Sequence, residues 1–195
     1  MLIYRYKEVF STTHGADMNF KLEFLNRGTK TDGFLPLFQL LYKNMKPLTP
    51  LLPYEDELCE WLSAVIPAMQ NERRSIATAS LGGELVGFLQ YSTDGEALYI
   101  EELQIDKSAR KTSLILRLVS FMLSNIPDSI KRVSAYAHKE NRESINLILS
   151  LGLTEARRLE EIEAIHFIGD AAPLFERFSK YRNFTSALKG SAEGQ

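Results

Sequence analysis

Two adjacent carboxylates, Glu101 and Glu102, sit in the middle of "ALYIEELQID" (97–106), a run that reads as a β-strand apolar on parts of both faces. A carboxylate on such a strand can take a proton from an ammonium group, directly or through water. Strict alternation puts Tyr99, Glu101, Leu103 and Ile105 on one face and Leu98, Ile100, Glu102 and Gln104 on the other, so the two acids are expected on opposite faces. Beyond the strand, "ARKTSLILRLV" (109–119) opens a helical stripe. First-turn amides and the positive end of a helix dipole attract anions such as cofactor phosphates, and Arg110 and Lys111 add charge there. Further on, "KRVSAYAH" (131–138) presents Tyr136 and His138 on one strand face, and either side chain can donate a proton.

These groups need a scaffold to bring them together, and the periodicities supply one. "MNFKLEFLNRG" (18–28) predicts a strand, and Phe34, Leu35, Leu37, Phe38, Leu41 and Met45 a short helix closed by "KPLTPLLP" (46–53). Leu58, Trp61, Leu62, Val65 and Ile66 mark a second helix, with Cys59 and Trp61 expected in the core and Pro67 expected to limit its length. "SIATASLGGELVGFLQYS" (75–92) is a hairpin turning at Gly82-Gly83, because both turn positions tolerate positive φ. Leu114, Ile115, Leu118, Val119 and Met122 form one helical stripe that stops near Asn125-Ile126-Pro127. After the strand at 131–138, "NRESINLILSLGL" (141–153) reads as a helix capped by Asn141, with Ile145, Ile148 and Leu149 inward and Gly152 as its stop. "TEARRLEEIE" and "AIHFIG" are closing strands. Leu174, Phe175, Phe178, Tyr181 and Phe184 give a final amphipathic helix, expected to pack on the domain or on a second subunit of a homodimer.

A mixed α/β layer fold follows from this order, and the order resembles the GNAT superfamily of acetyl-CoA-dependent N-acyltransferases. "GELVGF" (83–88) is similar to that family's second hairpin arm, "IEELQID" (100–106) to its central cofactor-binding strand, and "NRESINLILSLGL" to its Asn-led motif ending in glycine. The resemblance covers about residues 18 to 170. It implies a central, mixed but mostly antiparallel sheet flanked by helices, and transfer of an acetyl group from acetyl-CoA, or of another acyl group from its CoA thioester, to a small-molecule or peptide amine. By the same resemblance the cofactor would lie against Leu103, Gln104, Ile105, Arg110, Lys111, Thr112, Ser113, Leu114, Ile115 and Asn141, with Glu101 and Tyr136 carrying catalysis. The acceptor would enter between the 46–56 loop and the closing strands.

The family's phosphate loop runs Arg or Gln, two residues, Gly, one residue, then Gly or Ala. Here Arg110 fits, while Ser113 and Ile115 stand in the glycine positions. The family's helix tyrosine, a proton donor, corresponds to Ile148, which leaves Tyr136 or His138 to serve. A GNAT-like module that binds a ligand or partner without turnover is the competing reading, and a purely structural oligomer a third.

Composition narrows the partners. In 195 residues the formal net charge is −2 and no block of like charge occurs, which argues against a general nucleic-acid or membrane-surface binder. One cysteine and three scattered histidines offer neither an internal disulfide nor metal-ligand spacing. Without a signal-like apolar run the expected location is the cytoplasm. The expected organisation is an N-terminal tail (1–17), the acyltransferase domain (18–170), a C-terminal helix (171–188) and a disordered end (189–195).

Overall fold

The computed structural model describes residues 19–48, 51–110 and 112–178. Seven strands form one sheet in the order β1-β2-β3-β4-β5-β7-β6: β1 (Lys21–Phe24), β2 (Ser75–Leu81), β3 (Glu84–Asp94), β4 (Ala97–Ile105), β5 (Arg132–His138), β6 (Thr154–Leu159) and β7 (Ala164–Asp170). Every neighbouring pair is antiparallel except β4 and β5. A parallel pair needs a crossover, which α3 (Leu114–Leu123) provides.

The two faces are covered by different helices. On one face α3, α4 (Arg142–Ser150) and the helical residues 171–178 bury Leu114, Leu118, Met122, Ile148, Leu174 and Phe178 against Ala77, Leu89, Leu98, Val133 and Phe167. On the other, α1 (Leu35–Met45), the 3₁₀ turn before it (Thr31–Phe34) and α2 (Tyr54–Gln70) seat Phe34, Leu37, Phe38, Val65 and Met69 on Ile76 and Phe88. Each fully buried side chain of this size stabilises the fold by about 1.5–3 kcal/mol, so the two clusters fix both helical layers to the sheet. The second layer covers β2 and β3. Tyr99, Tyr136 and Ile168, further along the same face, remain exposed.

Turn chemistry follows the sequence where it is local. Gly82 and Gly83 take φ of +62° and +90°, and Gly152 takes +95° just past α4, where side chains are disfavoured. The Asn141 side chain caps α4 by accepting from the Ser144 amide at 3.0 Å. Three expectations fail. Pro67 does not end α2, which runs to Gln70 because Met69, just beyond the proline, is buried in the second core. Cys59 is exposed on α2. Leu149 is exposed as well, and Leu147 packs on the core instead, because α4 is rotated relative to the face read from spacing. Tyr181 and Phe184, the ends of the chain and Lys111 lie outside the described residues.

Candidate active site

The site begins where β4 and β5 part. Their register runs from Ala97 opposite Arg132 to Ile100 opposite Ala135 and stops there, so residues 101–105 leave the β5 side of β4 unpaired. A gap between parallel strands exposes backbone amides and carbonyls that ladder formation would have consumed. Gly87 lets β3 run close beneath this segment: a Cβ there would lie 2.8 Å from Ile105 Cδ1, 3.1 Å from the Gln104 carbonyl oxygen and 3.2 Å from Leu114 Cδ2.

A β-bulge sits at the mouth of the gap. Gln90 opposes Glu102 and Tyr91 opposes Ile100, so Glu101 is an extra residue on β4. The bulge breaks the alternation and corrects the expected faces. Leu103 packs against the α3 core, where Ile105 is also buried, whereas Glu101 turns to the opposite face with Glu102. Both acids therefore face the α1/α2 side of the sheet.

Their surroundings differ. Glu101 accepts from Gln90 Nε2 at 3.0 Å and Ser92 Oγ at 2.7 Å and is ion-paired with Arg74, which leads into β2. Both its oxygens are engaged. Glu102 accepts at Oε2 from Gln104 Nε2 at 2.8 Å. Burial pushes its pKa up to about 7, with the adjacent Glu101 charge adding to the rise and Gln104 and Arg74 opposing it. A carboxylate whose proton affinity is raised by burial is a candidate for proton transfer.

On the same face, Tyr136 is the first β5 residue beyond the last β4 pair. It is half exposed, and its ring stacks on His166 of β7 at 4.5 Å between centroids. His166 Nε2 lies 2.8 Å from Ser134 Oγ, and burial, followed by the nearby Arg157 charge, holds its pKa below the usual histidine value. His138 is turned to Glu163, 3.9 Å away, and its Nδ1 accepts from the Glu140 amide at 3.2 Å.

The loop after β4 holds its shape by local bonds. Asp106 caps the short 3₁₀ turn Lys107–Ala109 through the Ser108 amide and is paired with Lys43 of α1 at 2.9 Å, which holds its carboxyl well below the usual range. Arg110 donates to the Ile105 carbonyl, to Asn44 Oδ1 at 2.9 Å and to Glu143 at 3.1 Å. Thr112 Oγ1 accepts from the Leu114 amide, and Ser113 Oγ accepts from Arg117 Nε. Leu114 is fully buried, and Ile115 packs on the core, so neither side chain is turned to the gap. No acidic side chain stands in the first turn of α3.

An open strand edge, a helix N-terminus free of acids and a neighbouring arginine fit an extended cofactor carrying phosphates. The Asn141 side-chain oxygen caps α4 by accepting from the Ser144 amide. Arg74, Asn44, Ser92 and His166 are absent from the site expected from sequence. They reach it from the start of β2, α1, β3 and β7, and no local motif marks them.

The fold has many relatives among solved structures. An acetyltransferase from Thermus thermophilus shares 16% identity at a TM-score of 0.59, covering 77% of this chain and 97% of that one. The PaiA N-acetyltransferase from Thermoplasma acidophilum in complex with coenzyme A shares 11% at 0.58, over 78% and 99%. Spermidine N-acetyltransferase from Vibrio cholerae in complex with CoA and spermine shares 14% at 0.56, over 80% and 98%. No curated protein sequence matches the chain. The model of the acetyltransferase (GNAT) family matches residues 35–153, which span β3, the bulged β4, the loop that follows it and the Asn141-capped helix. The chain belongs to the acetyltransferase (GNAT) family, enzymes that use acetyl-CoA.

Proposed function

We propose that the protein acetylates a primary amine of a small molecule or peptide, with Glu102 as general base and Tyr136 as proton donor. One observation carries this reading: of the two acids at the mouth of the β4–β5 gap, Glu101 is saturated by Arg74, Gln90 and Ser92, while Glu102, held to about 7, has Oε1 without a hydrogen bond from any described residue.

The reaction needs a neutral amine. Acetyl-CoA when bound supplies a thioester carbonyl for that amine to attack. Glu102, whose pKa burial raises to about 7, accepts the proton that an ammonium must lose, directly or through one water. Arg74 holds the companion carboxylate in place by an ion pair. Tyr136, across the gap mouth on the same face, holds its hydroxyl proton for a departing thiolate. The exposed face of Tyr99, Tyr136 and Ile168 is where an acceptor would approach. No helix among the described residues is long and apolar enough to cross a membrane, and we place the reaction in the cytoplasm.

The test is acetyl-CoA-dependent thiol release across a panel of amines. Glu102→Gln should lower turnover by about 10²-fold or more, with cofactor affinity retained, because general base catalysis is worth about that much. Glu101→Gln should do less. If Glu102→Gln turns over like the wild type at every pH, Glu102 is not the base. If coenzyme A binds and no amine in the panel yields thiol, the non-catalytic reading stands.

A further inference from the structure

Glu102 is the last member of a hydrogen-bond chain that starts in the phosphate loop. Arg110 Nη2 donates to Asn44 Oδ1 at 2.9 Å, Asn44 Nδ2 donates to Gln104 Oε1 at 3.0 Å, and Gln104 Nε2 donates to Glu102 Oε2 at 2.8 Å. Asn44 is near the end of α1, 58 residues before Glu102, and Gln104 is buried.

The direction of the chain is forced. An arginine can only donate, so the Asn44 atom facing Arg110 must be its oxygen. The Ile105 carbonyl can only accept, and it lies 3.2 Å from the other end of the same amide, so that atom must be nitrogen. Asn44 is thereby locked from both sides. Its nitrogen then meets Gln104, which must answer with oxygen and so turns its own NH₂ toward Glu102.

The geometry points to Asn44 as a positioning residue for the reaction: acting through Gln104, it keeps a hydrogen-bond donor on Glu102 Oε2 and leaves Oε1 to take the acceptor's proton. This rests on Glu102 being the base. A donor on one oxygen favours the ionised carboxylate, and it offsets part of the burial that pushes Glu102 up. The charged groups bearing on Glu102 are Glu101 on its own strand and Arg74 leading into β2. Across the ladder, β3 places the neutral Gln90 amide opposite Glu102 and the Ser92 hydroxyl on Glu101, and Lys43 of α1 is paired with Asp106. Without Asn44, Gln104 has no partner fixing its orientation and can present oxygen to the carboxylate, which favours the protonated form.

Carboxyl ¹³C NMR of the full chain, without cofactor or acceptor, reads this directly as the titration midpoint of Glu102. Asn44→Leu should raise it by about one unit, the size of effect expected for losing a hydrogen bond to the charged form. Gln104→Met should raise it similarly. In the double variant the midpoint should match that of Gln104→Met alone, since Asn44 acts through Gln104. Melting curves establish that each variant is folded before it is titrated. A wild-type midpoint in folded Asn44→Leu overturns the proposal, as does a further rise when Asn44→Leu is added to Gln104→Met. Because no turnover is measured, these outcomes are separate from the fate of Glu102→Gln in the thiol-release assay, which tests the base itself.

Discussion

Arg74 reaches across β3 to form an ion pair with Glu101 on β4, with side chains only 21% and 23% exposed. The same guanidinium donates to the Ala64 carbonyl at 3.3 Å, tying α2 to the sheet beside the two acids. It neutralises one of two acids that would otherwise repel each other at adjacent positions.

Removing this cation should therefore be felt twice. Arg74→Met leaves Glu101 without its counter-ion in a partly buried place, and should destabilise the protein by about 1–3 kcal/mol in denaturant unfolding. It should also raise the pH at which Glu102 ionises, since Arg74 lowers that value. A variant with unchanged stability would show that the pair is solvated despite its burial.

Glu102 makes stability depend on pH. Its pKa rises from 4.5 to about 7 on folding, so between those values the native state binds more protons than the unfolded chain, and stability falls as pH rises. The full difference is about 3 kcal/mol, at roughly 1.36 kcal/mol per unit. Glu102→Gln should thus be more stable than wild type at about pH 8 by up to that amount, with the difference gone at about pH 4. Unfolding curves at the two pH values check both size and sign.

Gly87 is where β3, the end of β4 and the start of α3 come closest. Ile105 Cδ1 can rotate from an added methyl, but the Gln104 carbonyl and Leu114, which is fully buried, cannot easily yield. Gly87→Val should cost about 1–3 kcal/mol of stability through overpacking and should weaken coenzyme A binding by shifting the phosphate loop. Calorimetric titration with coenzyme A, beside thermal melts, separates the two effects.

Ile115 stands at a position where the family pattern has a small residue, yet its side chain packs on the α3 core. Ile115→Gly should cost about 2–4 kcal/mol in lost packing and helix propensity. Any gain in coenzyme A affinity from the opened space should be less than tenfold. Titration of the folded variant decides whether the isoleucine obstructs the phosphates at all.

What the sequence determined by itself is the set of elements and their order. Helix stripes such as Leu114, Leu118 and Met122, the Gly82-Gly83 turn and the Asn141 cap are local, and each depends on residues within a few positions of one another. The placement of the acids did not follow from alternation. A bulge at Glu101 adds one residue to β4 against β3, and nothing in "IEELQID" marks it, because the extra residue is set by how two strands pair. The partners that distinguish Glu101 from Glu102 were equally hidden. Arg74, Ser92, Gln104 and Asn44 are brought to them by sheet register and by α1 docking on Ile76 and Phe88, and burial, which gives Glu102 its proton affinity, exists only once those layers close.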